Sequence, residues 1–208
     1  MTALDHAVEL LDRALSYTRV TLSDVRDADL PLRTPCEGWD LGQLLAHMED
    51  ALDAFAEGAH GSVDLHDRVP VTIRVASLQE KACALLAAWS GAAPDRVQIG
   101  AHTLDTPVVA LAAALEITVH GWDVGQAVGS DLPIPDDLAR RLLPVAEALI
   151  ADADRGPMFG VPRPVPSEAT DGARLLGFLG RDARNRGSGT GPEGQIPGNR
   201  STGDAAAS

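Results

Sequence analysis

Aromatic residues are scarce in this chain: one tyrosine, three phenylalanines and three tryptophans serve 208 residues. A sheet packed with aromatic and β-branched side chains is hard to build from that supply. The 45% hydrophobic fraction is carried by Ala, Leu and Val, a composition that favours packed helices. Cysteine is nearly missing as well. Cys36 and Cys83 form no Cys-x-x-Cys motif and no disulfide framework, which fits a reduced cytoplasmic compartment. Runs of Lys or Arg are lacking and the net charge is −13, so the chain offers no patch for nucleic acid or for an anionic membrane surface. The start, "MTALDHAVELLDRAL", sets Asp5, Glu9 and Asp12 among its apolar residues and does not read as a signal peptide. No uninterrupted apolar run reaches the roughly 18 residues of a membrane span. Nucleophile-elbow, P-loop and dinucleotide-binding glycine motifs are absent too.

What is present is helical periodicity. Leu4, Val8, Leu11, Leu15, Thr18 and Leu22 recur at threes and fours and predict an amphipathic helix over 4–28. "DLPLRTPCEG" breaks it. Asp40 followed by Gln43 has the form of a capping box and starts a second helix that runs to Gly58. A third is predicted over about 72–90. Around 96–104 there is room for a short strand or two. Thr106 as cap and Pro107 in the first helical position open a fourth helix that Gly129 stops; it is about 33 Å long. A shorter helix at 136–153, capped by Asp136, and a last one at 168–180 follow. These elements predict an all-α four-helix bundle with short extra C-terminal helices. Residues 1–183 form the bundle domain, and the Gly/Ser/Pro/Ala-rich residues 184–208 read as a disordered tail.

Two of the three tryptophans stand in one repeated phrase, "GWDLGQ" at 38–43 and "GWDVGQ" at 121–126. The flanks of the two copies do not match, so duplication is the weaker reading. The flanks do hold the chain's most suggestive side chains. Glu116 and His120 are one helical turn apart on a helix that is apolar nearly all round, so both face the same side. A carboxylate in such surroundings needs a partner or an ion. His47, at the border of the second helix's apolar stripe, is the best third ligand. Two histidines and a carboxylate suit a catalytic zinc with an open position, and equally non-haem Fe(II). The bland alternative is a hydrogen-bonded Glu–His pair beside an edge histidine. Asp123 could orient a ligand histidine, serve as a cap or be solvated. Cys36 has no basic neighbour in sequence and reads as a small apolar residue. Trp39 and Trp122 read as core rings. His6, His60, His66 and His102 read as solvated, His102 being the strongest exception.

Together, "TPCEGWDLGQLLAHM" and "EITVHGWDVGQAVG" resemble the actinobacterial DinB-like metal-binding proteins. These are related to the metal-binding N-terminal domain of mycothiol-dependent maleylpyruvate isomerase. The resemblance spans about residues 1–183 and includes the late "FGVPRPVP" and "LLGFLGRD" segments. It implies a DinB-like four-helix bundle holding a divalent metal, usually zinc with Fe2+ or Ni2+ as options, on His47, Glu116 and His120. It also implies mycothiol-type chemistry in which the metal activates a small-molecule thiol for attack on an electrophilic substrate, as a transferase or isomerase. A non-catalytic metal-binding or stress-response bundle and a hydrolase using metal-bound water stand as alternatives.

Overall fold

The computed structural model describes residues 2–63, 75–91, 93–150, 155 and 159–183. The expected tail at 184–208 and His66 lie outside them.

Thr2 and Asp40 start the first two helices by the same device. Thr2 Oγ1 accepts from the Asp5 amide at 3.1 Å, and Asp5 Oδ2 accepts from the Thr2 amide at 2.7 Å, opening α1 (Ala3–Leu22). Asp40 Oδ1 accepts from the Gln43 amide at 2.8 Å, and Gln43 Oε1 accepts in return at 3.0 Å, opening α2 (Leu41–Gly58). Each box satisfies two amides that a helix start otherwise leaves unpaired. α3 (Val75–Trp89) is anchored to α2 by the Trp89 indole, which donates to the Phe55 carbonyl at 3.1 Å. Lys81 adds ion pairs to Glu49 and Asp53.

α4 (Thr106–Ala127) is the central helix. By length and composition it could cross a membrane, but 72% of its most apolar window is buried inside the protein, as befits a core helix. α1 and α2 pack along it, and α3 packs on α2 and α1. Gly121 permits the closest approach of α1. A Cβ there would run into the Thr18 hydroxyl, which instead donates to the Ile117 carbonyl at 2.8 Å. Gly129, with φ of +76°, turns the chain out of α4 as expected. α5 (Asp136–Leu149) and α6 (Asp171–Phe178) pack on each other, and α5 also lies against α4 and α1. Arg141 of α5 reaches Glu9 of α1 at 2.8 Å. The core runs continuously from Leu11 and Leu45 through Leu85 and Ala113 to Leu142 and Leu175.

A small sheet accompanies the bundle. β2 (Arg96–Ile99) and β3 (His102–Asp105) form the antiparallel hairpin that the sequence left room for. β1 (Ser62–Val63) pairs parallel to β2. His102 is exposed on β3. Several helix ends also differ from expectation. α1 stops at Leu22, because Ser23 Oγ turns back to the Val20 carbonyl at 2.7 Å and Asp29 folds residues 26–29 into a separate 3-10 turn by accepting from the Arg26 amide. Thr106 does not cap α4. Its hydroxyl donates to the Pro94 carbonyl, and Asp105 occupies the cap position. Asp136 does not cap α5 either; its carboxylate accepts from the Gly172 amide of α6 at 3.2 Å.

Candidate functional site

α2 and α4 bring three side chains to one point. His47 Nε2 lies 2.7 Å from Glu116 Oε1, and His120 Nε2 lies 3.1 Å from the same oxygen. One donor atom from each of the three lies within 4.8 Å of the others. The helical turn between Glu116 and His120 puts both on one side of α4. The capping box at Asp40 fixes where α2 begins, and hence which way His47 points. The imidazoles of His47 and His120 meet edge to face with ring centres 5.1 Å apart.

The electrostatics follow from this crowding. Burial would raise the Glu116 carboxyl, but hydrogen bonds from His120 and His47 outweigh it and hold the group well below the usual carboxylate range. Burial would lower His120. Its hydrogen bonds with Asp123, Cys36 and Glu116 hold it well above the ordinary value for histidine. Without an ion, the site is therefore a charge-assisted His–Glu–His cluster. Its three donor atoms are also a chemically sound set for a divalent cation, which would take the place of the shared protons.

Behind His120 is a layer that the sequence did not resolve. Asp123 is fully buried, and its Oδ2 stands 3.0 Å from His120 Nδ1. The Arg181 guanidinium grips the same carboxylate, with Nη2 donating to Oδ2 at 2.7 Å and Nε to Oδ1 at 2.9 Å. Burial would raise Asp123, but Arg181 and His120 keep it below the usual range. An ionised carboxylate can only accept, so Nδ1 of His120 carries a proton and Nε2 is the atom turned toward Glu116. Of the readings open to Asp123 in sequence, solvation does not hold: the carboxylate is fully buried against His120.

Cys36 joins this layer. Its thiol donates to Asp123 Oδ2 at 3.3 Å, and it lies 3.8 Å from His120 Nδ1 and 3.7 Å from Arg181 Nη2. The basic neighbours that are absent around it in sequence arrive from α4 and from the far end of the chain. Trp39 also differs from its sequence reading. It is 36% exposed and rests on His47 with ring centres 5.0 Å apart, whereas Trp122 is buried. Nothing local marks Arg181 as a site residue; only the buried Asp123 creates the need for it. His6 pairs with Arg141, and His60 bonds the Ala56 carbonyl, both away from the site.

The chain resembles known proteins over most of its length. Two uncharacterized proteins of Mycobacterium tuberculosis, one from each of two strains, are 26% identical over 83% of this chain and 96% of their own. A crystal structure of the mycothiol-dependent maleylpyruvate isomerase shares the fold, with a TM-score of 0.50 at 21% identity over 67% of each chain. The bundle is thus the DinB-like one that the sequence implied. Residues 11–125, which run from α1 into the second Gly-Trp-Asp phrase, match the mycothiol maleylpyruvate isomerase N-terminal domain family, and the chain belongs to that family.

Proposed function

We propose that this protein binds a divalent metal ion, zinc in the first instance, through His47, Glu116 and His120, and that it uses the site for mycothiol-type thiol transfer or isomerisation. The observation that carries this reading is the convergence of three donor atoms of the right chemistry at a place solvent can reach. The side chains of His47 and Glu116 are 38% and 29% exposed. A purely structural zinc sits in a closed shell of four protein donors, whereas three donors and an accessible face match a working site. Family membership supports the thiol part of the reading.

When bound, the ion would lower the pKa of a thiol brought to it. The chain's own residues do the rest. Asp123 keeps His120 in the tautomer that offers Nε2, Arg181 keeps Asp123 ionised, and Glu116 supplies the negative charge that favours a cation. The polar body of the thiol cofactor approaches from the open side, where Trp39 is exposed beside His47. A thiol held there would add across an activated carbon–carbon double bond, the C–S bond forming as the π bond breaks and the proton going to the neighbouring carbon. After rotation, loss of that proton together with the sulfur would restore the double bond and give an isomer, whereas keeping both would give a conjugate.

Metal analysis of the wild type, His120→Ala and Glu116→Gln, each with and without mycothiol, tests the proposal. One equivalent of zinc in the wild type, lost in both variants, is expected, together with a shift of zinc affinity on adding mycothiol. Zinc retained by both variants sinks the site. Zinc bound with no response to mycothiol turns the reading to a hydrolase or to a binding bundle.

A further inference from the structure

One wall of the site opens into a cavity of about 120 Å³ between α1, α2, α3 and α4. Glu116 and His120 line one end. The walls are apolar and come from all four helices: Leu15, Leu22, Met48, Leu52, Leu78 and Ile117. Asp12, Arg19 and Cys83 stand exposed where the cavity meets solvent. Its contents are constrained by size and by charge. An apolar space of about 150 Å³ accommodates a benzene ring, so this one takes a group of about five or six carbons. Among the described lining residues the cations are Arg19 and His120, and the acids are Asp12 and Glu116. A dianion would lose its hydration among walls of Leu, Ile and Met that donate no hydrogen bond, which is unfavourable. A polar cofactor body is equally mismatched to walls of Leu, Ile and Met.

We propose that this cavity holds the body of the electrophilic substrate, and that this body is a compact uncharged hydrocarbon group rather than a dicarboxylate such as maleylpyruvate. As a statement about substrate, the proposal rests on the thiol-transfer reading above. Its electrophilic carbon then faces Glu116 and His120, and the ring or branched alkyl portion points toward Leu78 and Leu52.

Ligand-observed saturation-transfer NMR on the full chain tests the cavity without needing metal or thiol. Cyclohexanone, a neutral ring, and maleate, a dianion, are the probes. Cyclohexanone is expected to receive saturation and maleate is not. Ala82→Trp fills the cavity from α3 and is expected to weaken cyclohexanone by at least about tenfold, the loss that follows when two buried methylene equivalents lose their contacts. A second readout needs no variant. Cyclohexanone is expected to slow alkylation of Cys83 by iodoacetamide in the wild type, because that thiol stands at the mouth. Stronger binding of maleate than of cyclohexanone overturns the proposal, as does an unchanged Cys83 rate at cyclohexanone concentrations that saturate the NMR signal. The two readings fail separately. Cyclohexanone bound by a protein that retains no zinc removes the proposed function and leaves the cavity. Zinc and mycothiol bound with no cyclohexanone removes the cavity proposal alone.

Discussion

Asp123 Oδ2 stands 3.0 Å from Nδ1 of His120, one turn earlier on the same helix, and Arg181 donates to that oxygen at 2.7 Å. The carboxylate thus serves three partners, His120, Arg181 and Cys36, while having no exposure of its own. Asp123→Asn removes the charge and leaves the Arg181 guanidinium buried and uncompensated. A loss of about 3–5 kcal/mol in unfolding free energy is expected, measured by denaturant titration. With the tautomer of His120 no longer fixed, zinc affinity is expected to fall by about 10–100-fold, read by competition with a chelating dye. Full zinc affinity in this variant would mean that Asp123 serves stability alone.

Zinc itself is expected to stabilise the fold. At a free concentration about a hundred times its dissociation constant it contributes about 2.7 kcal/mol, visible as a rise in melting temperature. The rise is expected for the wild type and not for Glu116→Gln or His120→Ala. An equal rise in all three would place the bound ion elsewhere.

The contact between α1 and α4 depends on the missing side chain of Gly121. Gly121→Ala drives a methyl group into Thr18 and is expected to cost about 1–3 kcal/mol despite the better helix propensity of alanine. Thr18→Ala removes the hydroxyl that collides, so the double variant is expected to lose less than the sum of the two single changes. Strict additivity in that cycle would count against the contact.

Tyr17 is the only tyrosine, so its ionisation can be followed in ultraviolet absorbance without interference. Burial raises its pKa first and the charge of Asp123 second, while its hydroxyl donates to the Leu132 carbonyl at 3.2 Å. The neutral phenol is the form that the fold prefers. Its contribution is full below the unfolded value of about 10 and is lost as pH rises through the higher folded value. The native protein is therefore expected to show no tyrosinate until well above that pH, and Asp123→Asn is expected to bring the transition down. A native titration at the ordinary value would contradict the burial of Tyr17.

Much of this arrangement could be read before the chain was folded, and the boundary of legibility is physical. The capping box at Asp40 and Gln43 is local chemistry, as is the turn between Glu116 and His120; both stand as the sequence indicated. So does the extent of α4, which Gly129 ends. Thr106 and Asp136 were misjudged because their polar atoms found partners across the fold, Pro94 and Gly172, instead of in their own helices. Cys36 lacked a basic neighbour only in the linear sense. Its surroundings are assembled from residues far along the chain, and no pattern in "TPCEGW" announces them. The paired hexapeptides make the same point. In the first, Asp40 caps a helix and Trp39 stays at the surface. In the second, the same letters fall inside α4, where Asp123 is buried in an ion pair and Trp122 is covered.

The Arg181–Asp123 pair joins residues 58 positions apart, and Arg181 lies in the last described segment. Chains are made from the N-terminus, so α1, α2 and α4 can assemble while Arg181 is still inside the ribosome. Until it emerges, Asp123 has His120 and Cys36 as partners but lacks the guanidinium that grips both its oxygens. The site is therefore completed only after Arg181 has been made, later than the helices that carry its three candidate donors. A product terminated before Arg181 would carry all three candidate donors on the right helices and still lack the piece that sets them.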